Sequence, residues 1–312
     1  MRTLALLLAL AMLAACQASS AAPTPGSSPQ REAGLPAADA VVAAFADHRV
    51  VAIGEIHGSS AEHEFLRSLV ADPRLRGIVT TVAVEFGSAR HQRTIDRFVR
   101  GGPVDPERLA LVWTDTTQRS GVWDDPIYRE FFDAVRDLNR ARPPDQQVRV
   151  LLGDPPIDWD RITDFIDCDA EDPTCLDYWI FRRDQHFAAV VQAAVDEGSH
   201  MLVIAGSGHV LRNPDQPDVH ALVDRLDAAN RGQVWTLVPV DPAGAAALAP
   251  LVDARSGQGP RAFPTTGSPV GALDAVRVFG GGTVTCDPGP CPSDSQAPVV
   301  HVDAVADALL VI

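Results

Sequence analysis

Hydrophobic residues along this chain fall into two alternating patterns. Short apolar runs rich in β-branched residues occur at 49–54 (RVVAIG), 78–86 (IVTTVAVEF), 148–152 (VRVLL), 201–205 (MLVIA) and 234–240 (VWTLVPV). Runs of this length and composition, bounded by glycine, proline or charge, read as buried strands. Between them, apolar positions recur at helical spacing over 37–46, 60–71, 88–100, 126–141, 176–197 and 217–229. In the second of these the stripe is Phe65, Leu66, Leu69 and Val70. Strands alternating with helices imply parallel pairing, with both faces of the sheet covered. The pattern therefore predicts an α/β fold: a mostly parallel central sheet with helices on both faces. Residues 103–124 read as irregular. Beyond residue 241 the chain turns Gly- and Pro-rich, with short strands expected only at 275–279 and 307–312, an irregular C-terminal extension of one domain spanning 37–312.

The first residues follow neither pattern. Arg2 precedes an apolar run from Leu4 to Ala15, too short for a mature membrane span and suited to a signal peptide over 1–15. Leu13-Ala14-Ala15-Cys16 resembles the bacterial lipobox, in which cleavage precedes a cysteine that is then acylated. This implies lipidation at Cys16, export to the bacterial cell envelope and contact with a membrane surface through the anchor. Residues 16–36, rich in Ala, Ser, Pro and Gly, read as a flexible stalk. The other four cysteines sit in two loop-like pairs, Cys168 with Cys175 and Cys286 with Cys291. Local disulfides suit an oxidising compartment, although four cysteines allow three connectivities.

Charge narrows the partners. The 312 residues carry a net charge of −15, and all 26 basic residues are arginine. No basic stripe of the kind nucleic-acid binders need is evident, so nucleic acid is not an expected partner. With 46% hydrophobic and 21% charged residues, the composition fits neither a disordered acidic chain nor a polytopic membrane protein.

The informative positions are the strand ends. In open parallel sheets, ligands bind beyond the carboxyl ends of the strands. The first strand runs into Gly54-Glu55-Ile56-His57-Gly58, and the second carries Glu85. The third delivers Gly153-Asp154, and the fourth enters Gly206-Ser207-Gly208-His209. Each residue has a structural explanation: Glu55 as a helix cap, His57 as a turn residue. Glu85 resists one, because a carboxylate closing such an apolar run must be paired, protonated or bound to a cation.

Gly54-x-x-His57 and Gly206-x-x-His209 resemble the paired G-x-x-H motifs of the Tiki and TraB-type proteins. GEIHG, VAVEFG and IAGSGHV together resemble the ChaN-like haem-binding lipoproteins and the erythromycin esterases of the same superfamily. FDAVRDLN before VRVLLGD, and RDQHFA beginning at Arg183, are similar to two further patterns of the esterase-like branch. The resemblance spans roughly 48–240. It implies a catalytic set of Glu55, His57, Arg67, Glu85 and His209, with His57 activating water and Arg67 as the helix arginine of the esterase branch. Two positions depart from that branch: the first motif here is E-x-H rather than E-x-x-H, and Phe187 stands where methionine is usual.

Chemically, an imidazole flanked by carboxylates can act as a general base on water, with Arg67 or a second histidine stabilising an oxyanion. The reading is therefore a hydrolase, esterase-like or metal-dependent and peptidase-like, acting on a small-molecule or peptide substrate. Metal-free hydrolysis is preferred. Glu55, His57, Glu85 and His209 are also the ligand set that a divalent metal would use, as Tiki-type relatives imply. No G-x-S-x-G elbow points to a serine nucleophile. The competing reading is a haem- or iron-binding lipoprotein, with haem held by a histidine or by Tyr128 or Tyr178. The remaining histidines, His48, His63, His91, His186, His200, His220 and His301, mostly read as helix-surface residues.

Overall fold

The computed structural model describes residues 31–118, 121–165, 168–214, 220–253, 259–280 and 299–312. Cys16, the signal segment, most of the stalk and the Cys286–Cys291 pair lie outside the described residues. Among the described residues, eight strands form one sheet: β1 (Leu35–Pro36), β2 (Val50–Glu55), β3 (Thr81–Ser88), β4 (Arg149–Asp154), β5 (Met201–Gly206), β6 (Val234–Pro239), β7 (Arg261–Pro264) and β8 (Ala308–Val311). Their order is β1-β7-β8-β6-β2-β5-β3-β4. The run from β8 to β4 is parallel throughout; β7 alone is antiparallel to its neighbours β8 and β1. This is the α/β class that the alternating pattern predicts.

Because side chains alternate along a strand, each strand feeds two cores. Val51, Ile53, Val82, Val84 and Phe86 pack on one face, with Leu66 and Leu69 from the helix Ser60–Val70 and Phe131 and Phe132 from the helix Pro126–Arg140. Val50, Ala52, Ala83, Val203 and Ala205 pack on the other, with Phe187 and Val191 from the helix Arg183–Asp196. Strands buried on both sides explain why β2, β3 and β5 read as unbroken apolar runs.

Several expectations are corrected. Residues 31–36 do not belong to the stalk: Glu32 bridges Val252, and Leu35 and Pro36 pair with Ala262 and Arg261. The segment 103–124 contains a helix, Pro106–Thr114, whose N-cap Asp105 accepts from Glu107 N and Arg108 N. The helix expected over 176–197 is two helices, Leu176–Ile180 and Arg183–Asp196. At the break, the Arg182 guanidinium turns back onto Ala170 O and Tyr178 O. Residues 275–279 are helical, started by an Asp274 cap onto Val276 N; a short apolar run does not separate strand from helix.

Cys168 and Cys175 form a disulfide with Cα atoms 5.8 Å apart. The loop they close is short, so removing the bridge as Cys168→Ser/Cys175→Ser is expected to cost about 2–3 kcal/mol. Denaturant unfolding with and without reductant measures this; equal stabilities would show that the bridge constrains nothing.

Candidate active site at the ends of the central strands

Alternation places Glu55 and Glu85 on opposite faces of the sheet. Glu55, in phase with Val51 and Ile53, turns toward the helices Ser60–Val70 and Pro126–Arg140. There its Oε1 accepts from Tyr128 OH at 3.0 Å and contacts His63 Nε2 at 3.0 Å, while Oε2 lies 3.2 Å from His57 Nδ1. Tyr128 OH in turn accepts from Gly58 N, fixing the turn that carries His57. The helix that follows is capped by Ser59, not by Glu55. Burial pushes the Glu55 carboxyl upward, but hydrogen bonds from His57 and His63 outweigh it and hold the group ionised, below its ordinary range. For His57 burial pulls down, and Glu55 and then Glu85 raise it above the usual imidazole value. Its ring meets Trp123 edge-on, centroids 4.5 Å apart.

Glu85, in phase with Ala83, turns toward the helix Arg183–Asp196. It sits where the β3–β4 ladder breaks: Val84 pairs with Leu152, yet the next partners are Ser88 and Asp154. Such a bulge re-aims side chains. The carboxylate is 2% exposed and bound from three sides, by the Arg183 guanidinium, by Gly206 N at 2.6 Å and by His209 Nε2 at 3.2 Å. Burial opposes its charge, but His209, Arg183 and the Gly206 amide drive it down to about 2. His209 is clasped from its other side by Asp184, Nδ1 to Oδ1 at 2.5 Å. Although burial disfavours the cation, Glu85 and Asp184 raise this imidazole to about 10.

Asp154 completes this half. Its Oδ2 accepts from Thr117 N at 2.8 Å and its Oδ1 from Thr117 Oγ1, and Arg183 Nε lies 3.5 Å away. Burial raises it to about 7, despite Arg183 and Thr117. With its amide oxygen toward the guanidinium, Gln118 accepts from Arg183 Nη1 and Nη2 at 2.7 and 2.9 Å.

The halves meet over β5, which lies between β2 and β3. A side-chain carbon on Gly206 would fall 2.9 Å from His57 Cε1 and 3.2 Å from Glu85 Oε2. Only glycine leaves room for the imidazole and the carboxylate to approach across this strand end.

Of the predicted set, Glu55, His57, Glu85 and His209 thus converge on one edge of the sheet. Arg67 does not: its ion pair is with Glu130, 3.1 Å away on the helix Pro126–Arg140. The guanidinium beside the carboxylates is that of Arg183. His63 is likewise no surface residue, being fully buried behind Glu55. Sequence reasoning also left Tyr128, Asp184 and Thr117 out of the site.

Glu55, His57, Glu85 and His209 do not bring three donor atoms close enough to share one ion; among the described residues, only Cys168, Cys175 and Asp177 do so. Those two sulfurs are joined to each other and are not thiolates. The ligand set proposed for a divalent metal therefore does not fit as arranged. Tyr128, offered as a haem ligand, is fully buried with its hydroxyl committed to Glu55.

No protein-family profile matches the sequence, and neither does any curated protein. A solved structure shares the fold: a protein from Bacillus cereus superposes with a TM-score of 0.53 at 10% identity, over 87% of this chain and 90% of that one. A structure described as bacterial protein toxins gives 0.42 at 18% identity over 65% of this chain, which spans 36% of the toxin chain. The type III effector HopBA1 gives 0.40 at 16% identity, over 69% of this chain and 87% of the effector.

Proposed function

We propose that the chain is a hydrolase of acyl substrates, of the erythromycin esterase-like and ChaN-like kind, tethered to the cell envelope through Cys16. The observation that carries this reading is the contrast between His57 and His209. Acid and base roles are assigned where neighbouring environments drive titratable groups apart. His209, held between Glu85 and Asp184, is a fixed imidazolium at neutral pH. His57 is partly solvent-exposed and rests on a single carboxylate. With its Nδ1–H donated to Glu55, His57 presents a lone pair on Nε2, the tautomer of a general base.

The sequence of events follows from these charges. A water molecule gives its proton to His57 Nε2 as it attacks the acyl carbon; collapse of the tetrahedral adduct then breaks the bond to the leaving group, which takes that proton from the His57 imidazolium. The growing imidazolium is stabilised by Glu55, which His63 and Tyr128 hold in place. The His209 imidazolium and Arg183, whose N–H groups are held by Glu85, Asp184 and Gln118, act on the oxyanion through their charge rather than by direct hydrogen bonds. Arg183 takes the role that the family resemblance gives to Arg67.

A panel of ester, lactone and peptide substrates, assayed with EDTA and with added manganese or zinc, tests the proposal. Turnover of an ester or lactone that survives EDTA is expected. A strict requirement for added metal would transfer the site to the metallopeptidase reading. No turnover, together with a stoichiometric haem complex lost on changing one histidine or tyrosine, would establish the binding-protein reading instead.

A further inference from the structure

A second feature lies outside the hydrolytic residues. The helix Gln92–Val99 and the turn Ala89–His91 before it present Arg90, Arg93 and Arg97, three and four residues apart and so on one face. Arg108, on the helix Pro106–Thr114, faces them across a cavity of about 320 Å³, also lined by His91, Thr94 and Asp105. Like charges at this spacing repel by a few tenths of a kcal/mol per pair, so folding alone does not favour the arrangement.

Some arginines of this acidic chain pair with carboxylates: Arg74 with Asp39 and Asp72, Arg182 with Glu171, and Arg212 with Asp227 and Asp307. What marks the cavity is that arginines without such a partner gather around one space. In the cavity Arg90 has Asp158 and His91 has Asp115. Arg93, Arg97 and Arg108 have no carboxylate partner among the described residues. The carboxylate within reach, Asp105, is engaged in capping its own helix. Three unmatched guanidinium forks around one cavity, in a protein of net charge −15, leave a local positive field that a multiply charged anion would neutralise. Guanidinium forks match phosphate oxygens bidentately, and the volume lies at the lower end for small-molecule sites.

We infer that this cavity binds a phosphate-bearing group, with Arg93, Arg97 and Arg108 as its principal contacts. The inference is independent of the hydrolytic reading, because none of the three belongs to the acid–base machinery. Isothermal titration of the purified protein with inorganic tripolyphosphate tests it, alongside flotation with phosphatidylglycerol and phosphatidylcholine vesicles. Saturable tripolyphosphate binding is expected, weakened about tenfold or more in Arg93→Ser/Arg97→Ser and again in Arg108→Gln. An Arg129→Ser/Arg140→Ser control, removing equal charge elsewhere, should bind as wild type. Arginine-dependent binding of free tripolyphosphate identifies a soluble phosphate ester; the same dependence with phosphatidylglycerol vesicles alone identifies a lipid headgroup. Either result supports the site. No saturable binding to any probe, or equal loss in the control, would overturn it. All three variants change exposed side chains, and circular dichroism verifies their folding.

Discussion

His57→Ala is expected to lower hydrolysis of the best panel substrate by at least about 100-fold, the contribution of a positioned general base. The loss should appear in kcat, since the imidazole acts on water rather than holding substrate. His57 lies at the exposed margin of the site, its ring against Trp123, so thermal stability should change little. The pH profile gives an independent check. Wild-type activity should fall on the acid side as His57 gains its proton, at a pH above the usual imidazole value because Glu55 favours the charged form. Weakening that support with Glu55→Gln should move the acid limb to lower pH. A His57→Ala protein with undiminished activity would remove the base from the mechanism.

Glu85→Gln should act mainly on stability, at a cost of about 3–5 kcal/mol, because it leaves the Arg183 and His209 cations without their buried counter-charge. For a domain of this size that lowers the thermal midpoint by about 10 °C. The sign with pH is fixed by the shifts. Glu85 is depressed from an ordinary 4.5 to about 2, so its contribution is present above pH 4.5 and is lost as pH falls toward 2. His209 is raised from 6.5 to about 10, so its contribution is complete below pH 6.5 and disappears as pH rises toward 10. Wild-type stability should therefore plateau between the two ordinary values, with flanks that flatten in Glu85→Gln. Unfolding free energies measured across pH 2–10 decide the matter; parallel curves for the two proteins would show that Glu85 does not hold the charge network.

The sequence made the sheet and four of its site residues legible for one reason: strand ends in a parallel sheet collect chemistry at a common edge. What it concealed came from elsewhere. His63 lies three and seven residues before Leu66 and Val70, on the buried face of its helix, so periodicity placed it inside; its residue type suggested the surface. Arg183 and Asp184 were visible as a motif, but nothing local says that their helix begins where it can reach across the sheet to Glu85. Arg67 satisfied a spacing while facing Glu130. The helix Pro106–Thr114 carried its own start signal, an N-cap aspartate followed by proline, hidden in a stretch whose tryptophan and threonines looked irregular. β7 was missed because four residues amid Gly- and Pro-rich chain have too little pattern to read.

The division of the site between two cores has a consequence for how such a protein diverges. His57, the proposed base, and its supports Glu55, His63 and Tyr128 lie on one side of the sheet; His209, with Arg183 and Asp184, lies on the other. Because successive residues of one strand serve both cores, changes within a strand reach both halves, whereas changes in a flanking helix act mainly on its own. Lineages sharing this scaffold are therefore free to exchange the helix Arg183–Asp196 and its chemistry while inheriting the base unchanged. Drift should be slowest at the glycine where the halves touch, and fastest in the helices that each half calls its own.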